Sequence, residues 1–135
     1  MHGFNLVLGS VLAYSWSKNL VVRAQQVVTY FRASHAPLAA LRKAAEELHI
    51  TQGLQSSNTT RFTSNYACTS SVQGHAPAFT LVKQRGSVVI TNQDVAATLE
   101  DAAFWADLAK LNKVLKPISR VVMVVQEVST TLGVI

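Results

Sequence analysis

The stretch FWADLAKLNKVLKPISRVVMVV, residues 104–125, decides the architecture. In it Phe104, Leu108, Leu111, Leu115, Ile118, Val122 and Val125 follow one another at alternating steps of four and three. A helix with 3.6 residues per turn brings such positions to one face, whereas a strand sends them to both. The spacing predicts one long helix over 104–127 whose apolar stripe must pack on other helices. Pro117 removes one backbone donor, so a kink is expected over 113–116. Asp101 and Asp107 stand near the start, and Lys110, Lys113, Lys116 and Arg120 follow, the order that a helix dipole favours.

Working outward, the same periodicity recurs upstream. Val21, Ala24, Val28 and Phe31 define a helical face over 18–32. Ser34-His35-Ala36-Pro37 breaks it, and a proline tolerated in a first turn starts the next helix, with Leu38, Leu41, Ala45 and Leu48 on its face. Residues 51–60 (TQGLQSSNTT) form a polar loop, in which Asn58 or Thr59 suits the N-cap of a helix over 61–72. Gly74 and Pro77 punctuate the chain before a short helix over 78–85, and Gly86-Ser87 ends that helix. Residues 87–91 (SVVIT) are β-branched; they either extend locally or join two helices. The fold class is therefore mainly α, a helical bundle with one strand at most, and the first apolar element covers 2–16.

The chain has 135 residues, 49% of them hydrophobic and 14% charged, which is the composition of one globular domain rather than of a disordered segment. Twelve Lys and Arg against seven Asp and Glu give a net charge of +5, with no basic run longer than two. That balance permits a nucleic-acid partner without requiring one. Few charges on a small domain also predict apolar surface that lies against something else, either more of a parent polypeptide or a second copy. The apolar start at 4–16 has no Lys or Arg before it and is too short to span a bilayer, so no membrane partner is expected. A lone cysteine, Cys68, allows no internal disulfide and no CxxC zinc site; it reads as a half-buried helix thiol in a reducing compartment, nucleus or cytoplasm.

The side chains that carry chemistry are scattered. His2, His35, His49 and His75 include no pair at the i, i+4 spacing of a zinc helix, and no glycine-rich phosphate loop is present. Divalent-metal chemistry needs two or three converging carboxylates. Glu46-Glu47 reads instead as part of a solvated face and Glu100-Asp101 as a helix N-terminal pair. No catalytic residue and no cofactor is assigned to the chain. The one local feature with recognition chemistry is Thr60-Arg61-Phe62-Thr63-Ser64-Asn65-Tyr66. A guanidinium grips phosphate in a fork geometry, and an aromatic face stacks on an unpaired base. The competing reading makes Phe62 and Tyr66, four apart, one helix's core face.

Three segments in order resemble the hobo–Activator–Tam3 (hAT) family of DNA transposases. His2-Gly3-Phe4-Asn5-Leu6 resembles the second half of that family's CxxHxxNL motif, with His2 and Asn5 in its structural positions. Thr60-Arg61-Phe62-Thr63-Ser64 resembles its TRWNS segment. Phe104-Trp105 through Leu115-Lys116-Pro117-Ile118 resembles its FWxxLxxLxxLLxPI helix, and Gln126 to Leu132 is similar to the acidic–polar stretch that follows. The resemblance implies a ribonuclease H-like transposase whose fold is interrupted by a helical insertion. Residues 1–16 would flank the ribonuclease H-like core, and 17–135 would belong to the insertion. It implies DNA as partner through Arg61 and Phe62, a nuclear location, and catalytic carboxylates for Mg or Mn outside these residues. Two departures stand out: Phe62 replaces the family's tryptophan and Thr63 the following asparagine. Phe keeps a π-face but loses area and the indole donor, which weakens stacking. A protein-interaction module that uses the 104–125 stripe and has no DNA activity is the alternative.

Overall fold

The computed structural model describes residues 15–56, 62–86 and 88–131. Six helices make up the described residues: α1 (Ser15–Ala33), α2 (His35–Glu47), α3 (Phe62–Gly74), α4 (Ala76–Arg85), α5 (Gln93–Glu100) and α6 (Ala102–Thr131). The expected mainly helical fold is present, and among the described residues there is no strand. His2 and Asn5, with the rest of the first apolar element up to 14, lie outside the described residues.

Helices α2, α4 and α5 begin or end for legible local reasons. Pro37 sits in the first turn of α2 and is buried there. The C-terminus of α2 closes with Ile50 N–H on Ala45 O at 2.8 Å and His49 N–H on Glu46 O at 3.1 Å, while His49 takes a left-handed φ of 60°. That is the paired hydrogen-bond pattern with which helices commonly end, here with histidine where glycine is usual. Gly86 plays the same part after α4, at φ 61°. Asn92 caps α5, its Oδ1 accepting from Asp94 N–H at 3.0 Å and Val95 N–H at 3.1 Å. Residues 88–92 join α4 to α5 and are tied to α1 where the Thr91 N–H donates to Tyr30 Oη at 3.0 Å.

Helices α1, α3 and α6 pack on one another as the centre of the bundle; α2 pairs with α4, and α5 lies against α1 and α6. The core runs through Ala24, Val28 and Phe31 of α1, Leu41 of α2, Cys68 and Val72 of α3, and Phe104, Leu108, Leu111 and Leu115 of α6. Aromatic edges lock three helices together. Phe79 of α4 meets Phe31 at 5.2 Å and Trp105 at 5.9 Å between ring centroids, and the Trp105 indole N–H donates to Leu99 O. Arg23 ties α1 to the α5–α6 corner. Its Nη2 lies 3.0 Å from Asp101 Oδ2, its Nε donates to Thr98 Oγ1, and its guanidinium carbon sits 4.9 Å from the Phe104 ring centroid.

The structure differs from the sequence expectations in four places. Helix α5 was not anticipated: eight residues carry too few turns for periodicity to show, although the Asn92 cap is plain in the sequence. Glu100 consequently ends α5 instead of opening the next helix. Asp101 does open α6, with its Oδ1 accepting from Ala103 N–H at 3.0 Å. Cys68 is fully buried, not half-buried, because α3 is inserted between α1 and α6. Finally, α6 remains helical through Pro117, but its stripe leaves the core beyond Leu115. Ile118 and Val122 are half-buried, and Val125 is 43% exposed.

Candidate nucleic-acid interface

Helix α3 and the junction that follows it put polar side chains into the core. Asn65, Thr69, Ser71 and His75 are buried with Cys68 and Val72, so their polar atoms need partners inside. Thr69 Oγ1 donates to Asn112 Oδ1 of α6 at 2.7 Å. Asn112 Nδ2 donates to Thr69 O at 3.1 Å and also contacts Gln73 Oε1. Ser71 Oγ donates to Cys68 O and accepts the Gln55 N–H. Among the described residues no buried side-chain polar atom is left without a partner. Burial pushes the Cys68 thiol up to about 11, which keeps it protonated and unreactive near neutral pH.

These bonds fix α3 beside α6 and leave an open groove of about 580 Å³ along their outer side. Tyr66, Ser70 and Gln73 line it from α3, and Lys110, Lys113 and Lys116 from α6. Tyr66 is half-buried at the flank of the core, so it shares only part of the core role that one reading gave it. Lys110, Lys113, Lys116 and Arg120 are exposed, and no carboxylate occurs between Asp107 and Glu127. The described ion pairs lie elsewhere: Arg23 with Asp101, Lys83 with Glu100 and Arg85 with Glu47. Among the described residues the four cations of α6 form no ion pair. At 1.5 Å rise per residue they span roughly 15 Å, a length over which duplex DNA presents several phosphates.

Phe62 is the first residue of α3, at the Tyr66 end of this groove's α3 wall. Arg61 and the Phe62 side chain lie outside the described residues, so the structure brings neither into contact with the lysines. By sequence alone the α6 cations show a dipole-compatible order and not a binding face. The signal that identifies a face is the three- and four-residue spacing from Lys113 to Lys116 to Arg120, on the side of the helix away from the apolar stripe. Among the described residues no three of His, Cys, Asp and Glu converge to hold a metal ion, and no helix is long and apolar enough to cross a membrane.

Comparison with family models, curated proteins and solved structures finds no match to this chain.

Proposed function

We propose that the chain is a DNA-binding helical region of hAT-transposase descent, with DNA held along the α3–α6 groove. It would act in the nucleus as part of a larger polypeptide or a self-assembled one. The observation that carries the binding reading is the acid-free row Lys110, Lys113, Lys116 and Arg120 on an exposed face of α6, beside α3, whose first residue is Phe62. Lysines on such a row neutralise phosphates and release counterions without reading sequence. Ser70, Gln73 and Tyr66 supply neutral donors on the facing wall. The descent is supported by the ordered motif resemblances alone.

Fluorescence anisotropy of the full chain with a duplex and a hairpin at two salt concentrations tests the reading. The double variant Lys113→Gln/Lys116→Gln should lose affinity for both DNAs, with the melting temperature unchanged. Equal affinity of variant and wild type at low salt would remove the groove from the function.

One observation favours the protein-interaction alternative. Val121, Val124 and Val125 are 46%, 58% and 43% exposed on the end of α6. The stripe from Phe104 to Leu115 is already used in the chain's own core, so of the stripe the end at Ile118, Val122 and Val125 remains for a partner or for self-association, with Val121 and Val124 exposed on the same turns. Val121→Ser/Val124→Ser should then convert a concentration-dependent oligomer to monomer in sedimentation, and DNA affinity should not change.

A further inference from the structure

A second concave site lies between the end of α1, the outer face of α2 and the loop over 50–55, with a volume of about 930 Å³. That volume falls in the range of small-molecule pockets. Two guanidiniums, Arg32 and Arg42, line it, and among the described residues neither has an ion-pair or hydrogen-bond partner. Glu46 is the single carboxylate in its wall. Leu38, Leu41 and Leu54 supply apolar surface.

His75 reaches the same pocket from the helix junction and is only 4% exposed. Its Nδ1 lies 2.7 Å from Ser71 O. A carbonyl oxygen only accepts, so Nδ1 carries the proton in that bond, and Nε2 is the polar atom left to meet the pocket. Ser71 also fixes the loop wall, because its Oγ accepts the Gln55 N–H at 2.9 Å. One residue therefore holds both the buried imidazole and the loop across from it, which is how a preorganised site is built.

We propose that this pocket binds the phosphate monoester of a small organic molecule, with Arg32 and Arg42 on the phosphate, Nε2 of His75 sharing one proton with it, and the organic body against Leu38, Leu41 and Leu54. Guanidinium forks match phosphate oxygens bidentately. A monoester has an ionisable P–OH to share with Nε2, whereas a backbone phosphodiester has none and carries less charge. The site therefore selects against the DNA backbone and is independent of the α3–α6 groove.

Isothermal titration of the full chain with phenyl phosphate, inorganic phosphate and methyl phenyl phosphate tests this. Phenyl phosphate should bind with the highest affinity, inorganic phosphate weaker and the diester weakest. Arg32→Gln/Arg42→Gln, both on exposed positions, should weaken phenyl phosphate by roughly tenfold or more, as expected for lost charge-assisted hydrogen bonds. Glu46→Gln should tighten it, because it removes the one negative charge from the wall. His75→Gln should narrow the monoester-over-diester preference to the part that the monoester's extra charge gives on Arg32 and Arg42. If that variant does not fold, the Arg and Glu46 variants carry the test without it. The proposal is overturned if phenyl phosphate does not bind at millimolar concentration, if the diester binds as well as the monoester, or if the Arg and Glu46 substitutions leave affinity unchanged.

Discussion

Thr69 and Asn112 exchange two hydrogen bonds across the buried face between α3 and α6, hydroxyl to side-chain carbonyl and side-chain amide to backbone carbonyl. A buried amide at this position fixes the relative placement of the helices, since any shift strands a donor or acceptor away from water. Thr69→Val keeps the shape and leaves Asn112 Oδ1 without its donor, so unfolding free energy should fall by about 1–3 kcal/mol. Asn112→Ala also opens a cavity and should cost about 2–4 kcal/mol. Urea titrations of the two variants and their double should show strong non-additivity. Independent effects would mean that the pair does not act as a unit.

His49 closes α2 in the left-handed region at φ 60°. A side chain there costs roughly 1–2 kcal/mol, while glycine costs roughly 0.5–1 kcal/mol of unfolded-state entropy. His49→Gly should thus stabilise the fold by a few tenths to about 1 kcal/mol, and His49→Val should destabilise it. The opposite order in thermal melts would show that the imidazole makes a compensating contact.

Asp101 sits between two helices and answers to both. The hydrogen bond from Arg23 is the main reason its carboxyl is held below the ordinary carboxylate value; desolvation opposes it, and the N–H groups of Phe104 and Ala103 and the charge of Arg23 add smaller downward contributions. A depressed folded-state value contributes stability that is complete above the ordinary carboxylate range and is lost as pH falls through the folded value. Melting temperatures from pH 6 to pH 3 should fall less steeply for Asp101→Asn than for wild type. The substitution retains a cap for Ala103 N–H but removes the titrating group. Parallel curves would assign the acid sensitivity to other carboxylates.

Cys68 should be silent in the native state. It is fully buried, and its thiol is pushed up to about 11, so few thiolates exist at pH 8 and reagent has no access. Labelling by an aromatic disulfide should be slow in buffer and complete within mixing in denaturant. Rapid native labelling would reveal an opening of α3 away from α1 and α6.

What the sequence made legible follows the physics of periodicity. The 104–125 stripe and the Val21–Phe31 face declare helices because each repeats over several turns. Helix α5 declares nothing by period, and only the Asn92 cap marks it. The half of the stripe that reaches solvent could not be foreseen, because periodicity reports a face and not how far the partners α1 and α3 extend along it. The polar core of α3 hid for a related reason: Thr69, Ser71 and Asn112 are polar types whose burial rests on bonds no local pattern reports, Thr69 with Asn112 and Ser71 with Cys68 O and Gln55 N–H. The α6 lysine row and its lack of carboxylates are plain in the sequence, whereas its exposure and its place beside α3 are not. The Arg32–Arg42–His75 pocket joins residues up to 43 positions apart, which no local pattern reports.

The DNA reading makes the most exposed prediction. If Lys110, Lys113, Lys116 and Arg120 each neutralise one phosphate, the logarithm of affinity should fall with the logarithm of salt at a slope of roughly −3 to −4. Lys113→Gln/Lys116→Gln should make that slope shallower by about 2. Arg61→Ala should do so by about 1 if it too meets a phosphate, on duplex and hairpin alike. Phe62 acts through a different force, since stacking needs an unpaired base and is indifferent to its identity. Phe62→Ala should lose roughly 1–3 kcal/mol on hairpin or frayed ends and little on duplex, and Phe62→Trp should strengthen the preference for unpaired ends. The competing core role predicts the reverse pattern: a lower melting temperature for Phe62→Ala and unchanged affinity of the folded fraction for both DNAs. Titrations run beside melts separate the two. A destabilised Phe62→Ala protein that binds hairpin and duplex like the parent would end the stacking role, and the lysine row would then stand or fall by its own salt slope.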